Sequence, residues 1–394
     1  MRLHHRTTDQ PDSPITETYA LLADQPGRRP LLDLAQAAPQ YPPPPEVVAH
    51  VAAVAGDPAS NRYVDLPGLP KLREAVADDL RRDYQAELGV KHIQITAGCN
   101  QAFCVVTSVL AGPGDEIILP LPYFFNHDMW LRMQGIIPVY AEPAADLVPS
   151  VANAAAVISP RTRAIVLVTP GNPSGVTIDP ATIAEFARLA ARHRIALILD
   201  ETYRAFRGTD QPAHRLFADP AWPATVVSLH SFSKELALAG YRVGAIVADP
   251  AVNREAIKLL DCLAICAPRI GQEAAWAGLR RAGAWRRDRA REVAARRQRF
   301  QAMMASAPGG FELVSSGGYF GWVRHPFPDR PTGELVRDLV VEHDTLVMPG
   351  TAFLPDDRRM LRLSFANLEA DAVDELGRRL SRAGAAGRAG RGRD

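Results

Sequence analysis

Residues 228–244 read SLHSFSKELALAGYRVG, and this stretch contains the most informative lysine of the chain. Lys234 follows a predicted strand and lies among small and hydroxylated residues. Partial burial of its ammonium group would favour the neutral amine, which can form a Schiff base with a carbonyl compound. Ser231, Ser233 and Arg242 offer hydrogen-bond donors and a permanent positive charge for a phosphate group. Considered alone, however, a lysine in this setting is more often an ordinary surface residue.

The same stretch also has the spacing of the serine acyl-enzymes, in which a serine precedes a lysine by three positions, as Ser231 precedes Lys234. That chemistry expects the companion strings SDN and KTG, and neither occurs in the sequence. The segment GNPSG at 171–175 places its serine one position too late for the GxSxG pattern of other hydrolases. A hydrolase is therefore disfavoured.

Two further motifs lie at the carboxyl ends of predicted strands, where open α/β sheets bind their ligands. In the sequence LDETY, Asp200 could pair with a protonated ring nitrogen, and Tyr203 could reach the same ligand. In VTPGNPSG, prolines and glycines would fix a loop that presents the amide of Asn172. The structural alternatives are a helix cap for Asp200 and a plain rigid turn around Asn172.

The segment Gly98-Cys99-Asn100 joins the first predicted strand to a helix. Backbone amides at the start of a helix form an anion site, so this junction could bind a phosphate. Many α/β units contain such a junction, and the signal is weak by itself.

The fold class follows from short β-branched runs that alternate with helical stretches between residues 93 and 247. Most of these runs are apolar on both faces. They therefore predict an α/β fold with a mostly parallel seven-stranded sheet that helices cover on both sides. The predicted strands are Ile93–Thr96, Glu116–Leu119, Ile136–Tyr140, Ala164–Thr169, Ile195–Leu199, Thr225–Leu229 and Arg242–Val247.

The segments that flank this region differ from it in composition. The first 45 residues are rich in proline and are expected to form an extended arm. Alanine and arginine recur at helical spacing over 252–304, where a long helix with a solvated basic face is expected. We predict a large domain over 46–274, a smaller α+β domain built from 1–45 and 275–381, and a disordered tail over 382–394.

Composition excludes several classes of function. The 394 residues include 45 basic and 44 acidic side chains, a net charge of +1, which gives no field to hold a nucleic acid or an anionic membrane. No apolar run reaches the roughly 20 residues that span a bilayer. The start, MRLHHRTTDQPD, lacks the apolar segment of a secretory signal. We expect a soluble cytoplasmic protein that binds neither nucleic acid nor membrane.

The four cysteines are Cys99, Cys104, Cys262 and Cys266. None forms a CxxC pair, and no histidine spacing completes a zinc site. We expect reduced, mostly buried thiols and no metal.

Taken together, the motifs resemble the class I and II aminotransferases of fold type I, the aspartate aminotransferase superfamily. The segments NPSG, DETY, SFSK and GYR occur in the order of that family, and Arg242 is the eighth residue after Lys234. The similarity extends from about Asp33 to Asn367, which is most of the chain. The joint pattern is far more specific than any of its parts.

The resemblance implies pyridoxal 5'-phosphate as cofactor and assigns roles to individual residues. Lys234 matches the lysine that forms the Schiff base, and Asp200 matches the acid that keeps the pyridine nitrogen protonated. Tyr203 and Asn172 match the groups that hydrogen-bond the phenolic oxygen. The resemblance places Phe124 against the ring, with Tyr123 as the second choice. The residues implied at the phosphate are Gly98, Cys99, Asn100, Ser231, Ser233 and Arg242.

Other segments extend the resemblance to a second subunit and to the substrate. The stretch YVDLPGLPKLR, which begins at Tyr63, resembles the segment whose tyrosine reaches the phosphate of the neighbouring subunit. A homodimer with shared sites is therefore implied. Arg362 in LRLSFAN matches the arginine that grips the substrate carboxylate, and Ala37 and Asn172 are also implied at the substrate.

Two positions depart from the family pattern. Ala35, Gln36 and Ala37 stand where a glycine-containing substrate loop is common, and Cys99 stands where a small or hydroxylated residue is common. Arg269 in CAPRIG is a candidate for binding a second carboxylate. These positions leave the identity of the amino donor and of the oxo-acid acceptor open.

The function expected from the resemblance is transfer of the amino group of an amino acid to a 2-oxo acid by a ping-pong mechanism. A lyase, cyclase or oxidase that uses the same cofactor could keep every motif, and requirement for an oxo-acid acceptor would distinguish it. A ligand-sensing regulator would need a DNA-binding module, for which the residues before Asp33 leave no room.

Overall fold

The computed structural model describes residues 1–209 and 211–389. Its α-helices are α1 His5–Thr8, α2 Pro14–Ala20, α3 Pro45–Ala55, α4 Pro70–Tyr84, α5 Cys99–Leu110, α6 Phe125–Gln134, α7 Val151–Ala156, α8 Pro180–His193, α9 Pro250–Ala264, α10 Arg269–Arg281, α11 Gly283–Met304, α12 Thr332–Val341 and α13 Ala370–Ala389. Its strands are β1 Leu32–Asp33, β2 Ile93–Thr96, β3 Glu116–Pro120, β4 Ile137–Ala141, β5 Thr162–Val168, β6 Ala196–Asp200, β7 Val226–Ser231, β8 Gly244–Val247, β9 Glu312–Gly317, β10 Phe320–Arg324, β11 Thr345–Leu346, β12 Met348–Pro349 and β13 Met360–Leu363.

Helix starts follow local chemistry that is visible in the sequence. Proline occupies the first position of α3, α4, α8 and α9, where its missing N–H is not needed and its fixed φ suits the helix. At α8 the side chain of Asp179 also accepts hydrogen bonds from the amides of Ala181 and Thr182, both at 2.9 Å. These caps fix where each helix begins relative to the sheet.

The central sheet has seven strands in the order β2-β8-β7-β6-β5-β3-β4. All neighbours run parallel except that β8 is antiparallel to both β2 and β7. The seven predicted strands are these strands, so the prediction of a mostly parallel sheet between helices is confirmed. Strand β8 begins at Gly244 rather than at Arg242, because Arg242 adopts a left-handed backbone with φ 51°.

Side chains of the strands alternate between two apolar layers, as the two-residue period of a strand requires. Leu197 and Leu199 of β6 pack into the layer that contains α4, α8 and α10. Ile198, between them, packs into the opposite layer with α5, α6 and α9. The next two residues, Asp200 and Glu201, continue this alternation and so point to opposite sides of the sheet.

A second, smaller group of strands follows the central sheet in sequence, apart from β1, which precedes it. Strands β12, β13, β10 and β9 form an antiparallel sheet, and β1 pairs in parallel with β11. Helices α11, α12 and α13 supply Phe300, Leu335 and Leu380 to the buried cluster of this region. This arrangement is the smaller α+β part that the sequence predicts.

Both ends of the chain are more ordered than expected. The first 45 residues are not simply an extended arm, because they include α1 and α2. The predicted disordered tail over 382–394 is wrong for 382–389, which belong to α13. Leu376, Leu380 and Ala383 recur at helical spacing and are buried, and this apolar stripe holds the helix in place. Residues 390–394 lie outside the described residues.

The structure corrects one expectation about the thiols and adds one observation on the helices. All four cysteines are free, but only Cys99 is fully buried and Cys262 is exposed, so the expectation of mostly buried thiols is wrong. Among the helices that the structure describes, none is long and apolar enough to cross a membrane.

Candidate active site

A cavity of about 420 Å³ lies at the carboxyl ends of β5, β6 and β7. The strand arrangement explains its position, since parallel strands end at the same edge of the sheet and their loops enclose a crevice there. Residues from distant parts of the sequence complete the wall. Twelve predicted site residues line it, namely Ala37, Cys99, Asn100, Phe124, Asn172, Asp200, Tyr203, Ser231, Ser233, Lys234, Arg242 and Arg362.

Lys234 lies in the loop after β7, and its amine donates a hydrogen bond to the backbone oxygen of Ala37. Burial lowers the pKa of Lys234 to about 8, and the positive charges of Arg362 and Arg242 act in the same direction. About one tenth of this amine is therefore neutral and nucleophilic at pH 7, far more than for an ordinary lysine.

Asp200 ends β6, and its carboxylate is held from several sides. The backbone amide of Thr202 donates to Oδ1 at 3.0 Å, and the thiol of Cys99 donates to the same oxygen at 3.6 Å. The Nε2 atom of His127 lies 3.4 Å from Oδ2. Burial raises the pKa of Asp200, but His127 and Thr202 lower it by more, so that the pKa lies below its ordinary value. The carboxylate is therefore ionised.

Arg362 of β13 enters the cavity from the smaller sheet and is only 2% exposed. Its Nη1 donates to Oδ1 of Asn172 at 2.8 Å, and its Nη2 donates to the backbone oxygen of Ala35. The guanidinium lies between the rings of Phe320 and Phe353, 4.9 and 4.8 Å from their centres. Burial lowers the pKa of Arg362 to about 10, so the group still carries its charge at neutral pH.

The opposite end of the cavity collects donors suited to an anion. Cys99 and Asn100 begin the twelve-residue helix α5, whose first amides have no partner within the helix. Ser231, Ser233 and Arg242 face the same space, and Arg242 is anchored by hydrogen bonds to two backbone oxygens. A Cβ atom at Gly98 would collide with the Arg242 guanidinium, and Gly98 has φ 89°, so only glycine fits there.

The aromatic candidates occupy different depths. Phe124 lines the cavity, whereas Tyr123 lies outside its wall and stacks on Tyr140 with ring centres 5.3 Å apart. Between the two residues proposed for ring stacking, the geometry therefore favours Phe124. Tyr203 packs against Phe320 at 5.1 Å, and its hydroxyl has no hydrogen-bond partner among the described residues.

Besides Gly98 and Tyr123, two more of the sequence candidates do not line this cavity. Tyr63 is 75% exposed and does not line the wall. Arg269 instead donates to the backbone oxygen of Ala59 at 2.8 Å and lies near Glu273. The structure of a single chain therefore gives neither residue a place at the site.

Sequence analysis missed residues that the fold brings to the site. His127 contacts Asp200 and stacks on Phe103 with ring centres 3.8 Å apart. The sequence could have indicated His127, because it lies three residues after Phe124, in the first turn of α6. Residues three apart share one face of a helix. Ile15 lines the cavity from α2, in a segment expected to be extended, and no local signal marks it.

The arrangement offers a nucleophilic amine, an ionised acid, an anion-binding end and a buried arginine within one cavity. Within residues 1–209 and 211–389, no group of three histidine, cysteine, aspartate or glutamate side chains is placed to hold a metal ion. The site therefore has the components for covalent chemistry on a small anionic ligand.

Comparison with known proteins gives a consistent result. The sequence pattern of the family described as aminotransferase class I and II matches residues 29–380. The chain is 28% identical over 348 residues to an aromatic aminotransferase of Arabidopsis thaliana, a match that covers 86% of each protein. It is 30% identical over 331 residues to an arginine–pyruvate transaminase of Pseudomonas aeruginosa, with 82% of each covered.

The fold is likewise similar to a solved structure. An aspartate aminotransferase of Thermus thermophilus, a single mutant, superposes with a TM-score of 0.88 at 24% identity, over 97% of this chain and 100% of that one. At this identity the likeness concerns the fold alone.

Proposed function

The chain belongs to the aminotransferase class I and II family and is an enzyme that transfers amino groups between amino acids and 2-oxo acids, and on this premise we propose how its cavity performs the reaction. The family uses pyridoxal 5'-phosphate, and we propose that this cavity holds it. The observation that carries the proposal is that one half-buried amine, Lys234, and one buried carboxylate, Asp200, lie on the wall of the same cavity.

The residues present fit pyridoxal phosphate. The amides that begin α5, with Ser231, Ser233 and Arg242, suit a phosphate, and a side chain at Gly98 would displace the Arg242 guanidinium from this end. Asp200 suits a protonated ring nitrogen, and Lys234 suits an aldehyde. When bound, pyridoxal phosphate supplies a ring that accepts the negative charge left by loss of the α-proton.

Lys234 has two tasks in the proposal: it would hold the cofactor covalently, and its Nζ would then move the α-proton. Both tasks require a neutral amine in part of the molecules. Burial and two neighbouring arginines lower the pKa of Lys234 to about 8, which supplies that form without full deprotonation.

Asp200 would hold a proton on the ring nitrogen. Its carboxylate is ionised because His127 and the Thr202 amide outweigh the effect of burial on its pKa. His127 is fixed in turn by its stack on Phe103. We propose that His127 positions Asp200 and does not itself touch the substrate.

Asn172 and Tyr203 would donate to the phenolic oxygen. The Oδ1 atom of Asn172 already accepts from Arg362 at 2.8 Å, so its amide nitrogen is the free end of the side chain. The Tyr203 hydroxyl is likewise without a described partner. Phe124 would cover one face of the ring.

Arg362 would bind the substrate carboxylate. Two flanking rings and two hydrogen bonds hold its guanidinium in one orientation, which lowers the entropy lost on binding. A planar two-donor fork matches a carboxylate better than an ammonium point charge does. Ala37 and Asn172 would border the same substrate.

A half-reaction tests the function directly. Protein loaded with pyridoxal phosphate and mixed with excess amino acid, without an acceptor, should release one equivalent of oxo acid per site and then stop. Absorbance of the cofactor should shift to that of the amine form and return when a 2-oxo acid is added. Continuous turnover without an acceptor would instead indicate a lyase, cyclase or oxidase and would overturn the proposal.

We also propose a homodimer with shared sites, in which Tyr63 serves the phosphate of the neighbouring subunit. Tyr63 is 75% exposed, and Leu263 is 60% exposed, as expected for side chains that a partner covers. Mixing Lys234→Ala with Tyr63→Ala chains should restore activity after subunit exchange, because one site of the mixed dimer has both residues intact. No recovery, with exchange verified by tags, would contradict the shared site.

Two further proposals concern the domain organisation and the cellular location of the protein. We propose a cofactor-binding domain over 46–274 and a smaller one from 1–45 with 275–381, which the separate sheets support, since the seven-stranded sheet lies within 93–247 and the smaller sheets use 32–33 and 312–363. Limited proteolysis should cut first near these boundaries.

We propose a cytoplasmic location, which the free cysteines support, and cell fractionation tests it.

A further inference from the structure

Within the proposed function, the charges on the cavity wall point to a substrate class. The charged side chains among the described lining residues are Asp200, Lys234, Arg242 and Arg362. Each has a task in the proposed reaction, at the ring nitrogen, the aldehyde, the phosphate and the substrate carboxylate. Among its described lining residues, this chain offers no further charge for the substrate's side chain. We infer that the amino donor carries an uncharged, apolar side chain, aliphatic or aromatic.

The wall beside Arg362 is aromatic. Its guanidinium lies 4.8 Å from the ring centre of Phe353, and Phe353 meets Phe125 edge to face at 5.6 Å. Phe125 in turn lies 4.9 Å from Phe124, and both line the cavity. A ligand whose carboxylate is held at Arg362 therefore has an apolar surface beside it rather than a second polar group.

Ile15 adds an aliphatic contribution from a different part of the chain. It lies in α2, which is anchored by the buried Pro14 and by a hydrogen bond from the Tyr19 hydroxyl to Asp33 at 2.5 Å. Because α2 is fixed in this way, Ile15 forms a defined part of the wall.

The polar groups on the wall do not offer a strong site for a charged side chain. Asn100 donates to Asn126 at 3.3 Å, so these two amides are partly satisfied by each other. Gln36 is exposed to solvent and supplies no charge. A charged side chain would lose hydration here without gaining a partner, which disfavours binding, whereas each apolar group buried favours it.

A donor panel tests the inference in the loaded enzyme. Phenylalanine and leucine should react with kcat/KM at least about 100-fold higher than aspartate, glutamate, lysine or arginine, because a buried unpaired charge is rejected strongly. Equal or better reaction with any charged donor would overturn the inference while leaving the transaminase proposal intact. A cation supplied by a second subunit would also produce reaction with a charged donor, and it would overturn the inference in the same way.

A binding measurement decides the matter without turnover. The unreactive acids 3-phenylpropanoate and 4-methylpentanoate should bind at least about 10-fold more tightly than succinate or glutarate, as measured by calorimetry. The reverse order would overturn the inference even if the half-reaction failed. Failure of the half-reaction with every amino acid, by contrast, would count against the proposed function alone.

Ile15 provides a variant with a matched control. Ile15→Arg should shift the preference for succinate over 3-phenylpropanoate by about 10-fold or more, because it adds a cation to the wall. Ile15→Leu keeps the apolar surface and should leave the preference within about 3-fold, as expected for a volume-conserving change. An unchanged preference in Ile15→Arg, in a variant that folds by circular dichroism, would show that this wall does not face the substrate's side chain. That result would overturn the inference.

Discussion

Asp200 and Glu201 are neighbours in the sequence but face opposite sides of the central sheet. Asp200 lines the cavity beside His127 and Cys99. Glu201 is only 1% exposed, lies in the core and accepts hydrogen bonds from Tyr84 at 2.8 Å and from Ser228 at 2.9 Å. Two carboxylates at the same strand end thus have different surroundings, because successive residues of a strand alternate in direction.

The pKa of each carboxyl shows the same contrast. Burial raises both, and each is nevertheless below its ordinary value because neighbours favour the ionised form. The neighbours of Asp200 leave its carboxylate accessible to a ligand in the cavity. For Glu201, the imidazoles of His214 and His230 and the Tyr84 hydroxyl enclose the group. The first acid can act on a ligand, and the second can only stabilise the fold.

The largest effect should come from Asp200→Asn. This change keeps the shape but removes the charge, so kcat should fall by about 100- to 1000-fold, the range seen when a preorganised electrostatic group is lost. The free energy of unfolding should change much less than in the Glu201 variant below. Steady-state kinetics and urea unfolding measure the two quantities, and near-normal kcat would remove Asp200 from the reaction.

Glu201→Ala should show the opposite pattern. It leaves Tyr84 and Ser228 without their acceptor in the core and removes the carboxylate beside His214 and His230, which should lower the free energy of unfolding by about 3–5 kcal/mol. Glu201→Gln retains the shape and one acceptor oxygen and should cost less. Activity per folded molecule should remain within about 5-fold of the wild type, since surface and core changes away from reacting groups act through stability. A large loss of kcat in well-folded Glu201→Gln protein would contradict the assignment of a purely stabilising role to Glu201.

The core network also predicts a pH dependence of stability. Burial lowers the pKa of His230 to about 4, whereas the unfolded chain has a value near 6.5. The unfolded state therefore binds more protons in this window. The stabilisation is complete above about pH 6.5 and is lost as the pH falls to about 4, by about 3 kcal/mol in all. Urea unfolding from pH 7 to 4 should show a shallower decline in His230→Gln, and identical slopes would contradict the assignment.

The smallest effect should come from Cys99→Ala. Burial and the charge of Asp200 raise the pKa of Cys99, so the thiol stays protonated and donates to the carboxylate. Loss of this one weak donor leaves the Thr202 amide and His127 in place. The kcat should therefore fall by less than about 10-fold, the equivalent of one modest hydrogen bond. A loss as large as that of Asp200→Asn would give Cys99 a larger role than its geometry supports.

Much of the site was predictable because its parts lie at strand ends. Asp200 ends an apolar strand and Asn172 and Lys234 each follow one, and the parallel sheet brings those ends together whatever the details of packing. The seven strands were likewise predictable from their composition. Arg362 was identified only through the resemblance to a family, since nothing local distinguishes it from an ordinary edge residue.

The features that the sequence did not predict depend on contacts between residues far apart in the chain. Glu201 is surrounded by residues 84, 214, 228 and 230, and a sequence offers no way to tell that these meet. The orientation of Arg362 depends in the same way on Ala35 and Asn172. The helical end of α13 was missed because a run of alanine, glycine and arginine resembles a disordered segment. Only the packing of α13 against α11 and against residues 308–310 distinguishes the two.

The central claim is that Lys234 is the residue that holds the cofactor. The other lysines of the chain are Lys71, Lys91 and Lys258; exposed Lys71 pairs with the buried Glu273, and Lys258 pairs with Glu255 at the surface. Protein loaded with pyridoxal phosphate can be reduced with borohydride, digested and mapped by mass spectrometry. We expect one equivalent of reduced cofactor on the peptide that contains Lys234. Attachment at Lys71, Lys91 or Lys258, or undiminished labelling of Lys234→Ala protein, would contradict the account.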